Sequence, residues 1–172
     1  AAEAEHASYT RPLADDGHEQ LGTWIFDGDP HLSQPFVPAL RALLGDRVAV
    51  EHVRGLPSTR SHDRSGFDEA VSAARRAGVA VLVVGEEAIL SGEAHCRTDI
   101  TLPGAQEALV EAIAATGTPV VCVVMAGRAL ALERIVPHVH ALLYAWHPGT
   151  MGGPALVDLL LGVESPSGRL PV

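Results

Sequence analysis

Three short apolar runs, separated by stretches with helical spacing, constrain this chain more than any other feature. Val79 to Val84 is an unbroken run of Val, Ala and Leu, Pro119 to Met125 is a second, and Ala141 to Trp146 is a third. Runs that are apolar at consecutive rather than alternate positions suit strands covered on both faces. Between and after them, apolar residues recur at helical spacing. Phe67, Ala70, Val71 and Ala74 predict an amphipathic helix over 66–77, stopped by Gly78. Ala105, Ala108, Leu109, Ala112 and Ile113 predict another, ended by Gly117, and Ala155, Leu156, Leu159 and Leu160 a last one, stopped at Gly162. Upstream, Pro38 to Leu44 reads as a short helix and Val48 to Val53 as a strand; Ala129 to Ile135 reads as a further short helix. Strands alternating with helices predict an α/β fold, a three-layer α/β/α sandwich on a mostly parallel sheet with the three apolar runs as central strands. Leu21 to Asp29 shows no clear period and is read as loop or edge structure, and Glu164 to Val172 as a tail.

The length of 172 residues suits a single domain over 1–172 with one sizeable core. Aromatic residues make up only 4%, so Val, Leu, Ile and Ala must build that core. The net charge is −9, and all twelve basic residues are Arg. So acidic a chain repels phosphate backbones, which argues against a nucleic-acid partner. Two cysteines, Cys96 and Cys122, are too few for a disulfide framework. No apolar run reaches the roughly 18–20 residues that cross a membrane, and Ala1 to Thr10 lacks the apolar centre of a signal peptide. The expectation is a soluble chain with no membrane partner, its compartment open among cytoplasm, periplasm and secretion.

Ligands of open parallel sheets bind beyond the carboxyl ends of the strands. Three loops should meet there: Gly85 to Asp99, Ala126 to Arg128, and His147 to Gly153. The first is long for a strand-to-helix connection and holds Glu86, Glu87, Glu93, His95, Cys96, Arg97 and Asp99. Such a loop is either functional or a solvated acidic surface, and its composition alone does not choose. The third lacks the Gly-Lys-Ser/Thr ending of a phosphate-binding loop, so its glycines are read as serving a turn and close helix packing. His138 and His140 share one face of an extended segment, but no partner at ligand spacing accompanies them, and no metal or cofactor is implied. His95 beside Cys96 would suit a thiol nucleophile only if the fold aimed both at one point, which adjacent loop residues rarely allow. Cys122, inside an apolar run, reads as a core filler.

Taken in order, several segments resemble one family. They are Arg11-Pro-Leu-Ala-Asp-Asp16, Leu21-Gly-Thr-Trp24, Val84-Gly-Glu86, Ser91-Gly-Glu-Ala94, Arg97-Thr-Asp-Ile-Thr-Leu-Pro103, Met125-Ala-Gly-Arg-Ala-Leu130, Ala145-Trp-His-Pro-Gly-Thr-Met-Gly-Gly-Pro154 and Pro166-Ser-Gly-Arg-Leu-Pro171. Together they are similar to the C-terminal sandwich domain of family-3 glycoside hydrolases of the β-glucosidase type, over residues 11–172. The chain departs from that pattern at Glu5 to Thr10, a poor strand where the family has an apolar one, and at Cys96, where the family often has Ser.

The resemblance implies a two-domain enzyme. An N-terminal (β/α)-barrel would carry the Asp nucleophile and most sugar contacts, and the sandwich domain would supply the general acid/base. A barrel needs about 200 residues or more, which this chain cannot hold. The expectation is therefore a fragment, a truncated form or one half of a split β-glucosidase, inactive alone, whose partners are a β-glucoside substrate and a barrel domain or chain. The competing expectation is a non-catalytic module that docks on a barrel or self-associates. The Ser-Gly-Glu-Ala segment, which carries the acid/base in the resembling family, points to Glu93; Gly92 and Ala94 beside it leave room for a substrate. Glu87, His95 and Arg97 are supporting candidates, Arg97 as a residue that orients the loop. Glu86, directly after the strand, is expected to be tied to backbone or sheet-edge groups, and Glu87 to face solvent.

Overall fold

The computed structural model describes residues 19–22 and 30–171. The Arg11 to Asp16 segment, the Glu5 to Thr10 departure and most of the Leu21 to Asp29 reading fall outside the described residues.

The three apolar runs form the strands β1 (Ala80–Gly85), β2 (Val120–Met125) and β3 (Ala141–Tyr144), parallel and in sequence order. Among the described residues four helices flank them: α1 (Phe36–Leu44), α2 (Phe67–Arg76), α3 (Gln106–Ala114) and α4 (Gly152–Leu160). The period of two along β2 assigns the faces. Val120, Cys122 and Val124 point to the side of α2 and α3, where they pack with Ala74, Leu109, Val110 and Ile113. Val123 and Met125 point the other way, against Phe36 and Val37 of α1 and Leu156 and Val157 of α4. The result is the three-layer α/β/α arrangement that the alternation of strands and helices implies. Asp68 and Glu69 in the first turn of α2, and Arg75 and Arg76 in its last, complement the helix dipole. Among the described residues no helix is long and apolar enough to cross a membrane.

Three expectations need correction. Among the described residues only β2 is a central strand; β1 and β3 flank it, and Val81 on β1 is partly exposed. Val48 to Val53 is not a strand. The segment lines an apolar groove of 670 Å³ along β1, with the Val50 carbonyl accepting from Arg41 and the Glu51 carboxylate from Arg76. Glu51 and His52 interrupt its apolar run, and the bonds of Val50 and Glu51 go to helix side chains rather than to a neighbouring strand. Ala129 to Ile135 is not a helix either; a single 3-10 turn follows at Val136–His138. Its amides are used elsewhere: Ala131 donates to the Ile100 carbonyl and Leu130 to the Tyr144 hydroxyl. Leu130 and Ile135 point into the core, which anchors the segment as a surface strap.

Candidate active site

All three sheet-end loops open on the carboxyl edge, as the strand order requires. Their meeting is arranged by buried polar side chains. Gln106, at the start of α3, takes both backbone groups of Gly85: its Oε1 accepts from the Gly85 N–H at 2.8 Å and its Nε2 donates to the Gly85 carbonyl at 2.8 Å. The same Nε2 lies 2.9 Å from the Thr59 carbonyl and 3.1 Å from that of Pro103. This pins the point where β1 becomes the long loop. Gly85 has φ 142°, and a Cβ there would sit 1.8 Å from the Met125 carbonyl oxygen, so no other residue fits this approach to β2.

The three loop glutamates have different surroundings. Glu86 is fully buried between two guanidiniums: Arg97 bonds its Oε1 and Arg128 Nε lies 3.0 Å from its Oε2. Glu87 is also fully buried, accepting from the Thr59 N–H at 3.2 Å and from Arg60 at 2.9 Å. The expectation that Glu87 faces solvent is thus wrong. Its carboxylate turns inward and joins the loop to the segment before α2, because Arg60 and the Thr59 amide offer it charge-assisted bonds. The carboxylate of Glu86 is held not, as expected, by backbone or sheet-edge groups but by two side chains, Arg97 of its own loop and Arg128 of the loop after β2; only its N–H meets the sheet edge, donating to the Met125 carbonyl. Glu93 is exposed, and no described residue bonds its carboxylate.

Glu93 sits on a strained turn. Gly92 has φ 110° and Ala94, directly after Glu93, has φ 64°, a left-handed conformation that L-residues with a Cβ adopt at a cost of about 1 kcal/mol or more. The His95 N–H closes the turn on the Gly92 carbonyl at 3.2 Å. Arg128 Nη2 donates to the Leu90 carbonyl and, at 2.8 Å, to that of His95, on either side of the turn. Arg97 ties the end of the loop, donating to Glu86 and to the Thr101 carbonyl. His95 is half-buried and its Nδ1 is sheltered without a hydrogen bond; Cys96 beside it is exposed. Asp99 accepts from both the Thr101 N–H and its hydroxyl, bonds that hold its carboxyl below the usual range.

The sequence that builds this edge matches a known domain. The model of the Glycosyl hydrolase family 3 C-terminal domain fits residues 4–172. The chain belongs to that family. Curated relatives of this family 3 domain include a periplasmic β-glucosidase of Salmonella typhimurium, 36% identical over 94% of the chain and 24% of the relative. Another is a β-xylosidase of Formosa agariphila, 34% identical over 92% of the chain and 22% of the relative. A β-glucosidase of Listeria innocua solved with isofagomine superposes with a TM-score of 0.81 at 30% identity, over 89% of this chain and 20% of that one. An exo-β-xylosidase solved with a xylobiose aziridine probe gives 0.82 at 30%, over 92% and 20%. The chain thus spans about a fifth to a quarter of the length of the relatives it matches.

The rest of the edge belongs to β3 and its loop. Tyr144 donates from its hydroxyl to the Arg128 carbonyl at 2.5 Å and stacks at a tilt on Trp146, 4.5 Å between ring centres. Burial is the main cause that pushes the Tyr144 phenol up. Trp146 has φ 55°, another strained residue at this edge. His147 packs against Gly22 and Gly127, with Nε2 3.4 Å from the Ser91 hydroxyl. Burial pushes its imidazole below the ordinary value, against the pull of the Glu86 charge. The glycines of this loop serve the turn and packing read from the sequence: Gly149 has φ 80°, and a Cβ on Gly153 would meet the Gln34 carbonyl oxygen at 2.3 Å. Residue by residue, the sequence reading missed Gln106, Arg60, Tyr144 and the bridging role of Arg128. A polar residue opening an apolar stripe (Gln106) and an Arg after a glycine in a sheet-end loop (Arg128) were the available signals.

Proposed function

We propose that this domain supplies the proton-transfer side of a retaining β-glycosidase acting on terminal β-D-glucosyl residues, with Glu93 as the general acid/base. The observation that carries the reading is the contrast among the loop carboxylates. Glu86 and Glu87 are buried and bonded to arginines, whereas Glu93 stands exposed on a braced turn at the carboxyl edge. The oxygens of Glu86 and Glu87 are already engaged by these bonds, whereas the exposed carboxylate of Glu93 is open to a substrate. The sugar assignment leans on the β-glucosidase relatives, and β-xylosidases of the same family make β-xylosides the variant to test beside it.

Retaining hydrolysis needs two carboxyl groups about 5–5.5 Å apart, one attacking the anomeric carbon and one serving first as acid, then as base. On this reading the nucleophile comes from a barrel domain that closes over Glu93. Closure excludes water and raises the proton affinity of the carboxyl by burial. Glu93 then protonates the departing glycosidic oxygen, and its carboxylate next takes a proton from the water that hydrolyses the glycosyl-enzyme. Arg97 and His95 act through the loop backbone, and Glu87 through its hold on the loop root.

The test is Glu93→Ala in the barrel-containing enzyme. Aryl β-glucosides with good leaving groups should still glycosylate it, deglycosylation should slow by about 10²–10⁴-fold, and azide should restore turnover. Near-wild-type hydrolysis of a poor-leaving-group disaccharide by this variant would overturn the assignment. Robust turnover of an aryl glucoside by the 172-residue chain alone would overturn the division between domains. If adding the barrel gives a complex but no activity, the chain is an interaction module instead.

A further inference from the structure

Arg128 occupies a position that its place in the sequence does not explain. It follows β2, yet its guanidinium reaches into the loop after β1. There Nη2 bonds the carbonyls of Leu90 and His95, and Nε bonds Glu86 at 3.0 Å. Leu90 and His95 bracket Glu93 in sequence, so one side chain grips the turn on both flanks. The backbone of Arg128 is itself held from β3, because the Tyr144 hydroxyl donates to its carbonyl at 2.5 Å and accepts from Leu130 N–H at 3.2 Å. The ends of all three strands therefore converge on this residue. The turn it grips contains a left-handed non-glycine residue, Ala94, and such a conformation persists only where the surroundings over-determine it.

We infer that Arg128 is the positioning residue of the acid/base, fixing the direction of the Glu93 carboxyl through the Leu90 and His95 carbonyls; the catalytic part of this inference rests on the proposed role of Glu93. A planar fork suits the task. One guanidinium holds a carboxylate through Nε and two carbonyls through Nη2, which an ammonium on a flexible stem cannot do with the same geometry. Arg128 touches neither substrate nor reacting atoms on this reading.

The experiment has two arms. The first uses the chain itself, with Arg128→Gln, Arg128→Lys and, as a remote control, Arg76→Gln, whose exposed pair with Glu51 lies elsewhere. Glu86 keeps Arg97 in the Arg128 variants, so its charge is not orphaned. Hydrogen exchange at the amides of Leu90, Ser91 and His95 should quicken about tenfold or more in both Arg128 variants, with β2 and α3 unchanged. Wild-type exchange in that turn overturns the inference. The second arm measures the same variants in the barrel-containing enzyme over aryl glucosides of graded leaving-group ability. Misaim of about 1 Å should cost 10- to 100-fold on poor leaving groups and in deglycosylation, spare glycosylation by good ones, and be partly rescued by azide, with Arg128→Lys closer to wild type than Arg128→Gln. Equal losses on good and poor leaving groups would mean a merely structural role and also overturn the inference. Failure of the Glu93 reading has a different signature: Glu93→Ala would then lack leaving-group dependence and azide rescue, whatever Arg128 does to exchange.

Discussion

Glu86→Gln tests whether burial, rather than distance, decides what an ion pair contributes in this domain. Glu86 is fully buried and faces two guanidiniums. Gln keeps the shape and one acceptor oxygen but turns the other into an amide that meets a guanidinium. Removing one partner of a buried pair costs about 3–5 kcal/mol, because a charge is left uncompensated. Here Arg97 and Arg128 keep 18% and 21% side-chain exposure, so water recovers part of that loss and we expect about 3 kcal/mol. For a domain of this size each kcal/mol moves Tm by about 2–4 °C, so Tm should fall by roughly 6–12 °C. The comparison is Glu51→Gln. Its pair with Arg76 is only 2.5 Å long, but the side chains are 51% and 58% exposed. Such a pair contributes no more than about 1 kcal/mol and is screened by salt. Urea and thermal unfolding of both variants, followed by circular dichroism at low and high ionic strength, separates the cases. Equal destabilisation by the two substitutions, or a Glu86→Gln effect under about 0.5 kcal/mol, would refute the reasoning.

Burial keeps the His147 imidazole neutral by holding its pKa below the ordinary value, whereas the unfolded residue takes up a proton near pH ~6.5. Between those two values the unfolded state binds more protons, so stability should fall as pH drops through that window, and His147→Gln should flatten this part of the curve; an unchanged slope in pH-dependent melts would refute it. Burial pushes the Cys122 thiol up to about 12, while Cys96 is exposed. Iodoacetamide at about pH 8 should therefore label one thiol per folded chain, in the Cys96 peptide, and peptide mapping that finds both labelled equally would contradict the buried position of β2. Gly85→Ala would force a Cβ to within 1.8 Å of the Met125 carbonyl oxygen; we expect a loss of at least about 3 kcal/mol and a weakened β1–β2 pairing, and a urea midpoint near wild type would refute that.

Much of this fold could be read from runs and periods, for a physical reason. A strand covered on both faces has no polar face to interrupt its sequence, so β1, β2 and β3 appear as continuous apolar runs and their ends come within a residue or two of the observed ones. The failures share a different cause. Val48 to Val53 has β-forming residues, but pairing depends on what lies alongside, and local pattern does not contain that. Ala129 to Ile135 has helix-forming residues whose amides are taken by Ile100 and Tyr144, and tertiary bonds override propensity. At the site, the sequence could indicate which loops converge, because topology determines that. It could not show that Glu87 turns inward, since its partners Thr59 and Arg60 lie 28 and 27 residues away. Nor could it show that Arg128 bridges 38 and 33 residues to Leu90 and His95.

These long-range bonds bear on the proposed role of Glu93, which is exposed on a turn bonded from both flanks. A general acid must hold its proton near neutral pH, which requires burial or an uncompensated negative neighbour. Glu93 is exposed, while the carboxylates of Glu86 and Glu87 are engaged by Arg97, Arg128 and Arg60. Arg128 in addition grips the turn on both flanks from within this domain. On the proposed reading, aim is then set within this domain and proton affinity by the surface that closes over it. The separation has a chemical advantage. A carboxyl that acquires its working proton affinity only on closure acts when water is excluded and the nucleophile is opposite it, so protonation of the leaving oxygen is tied to the assembled geometry rather than to bulk pH.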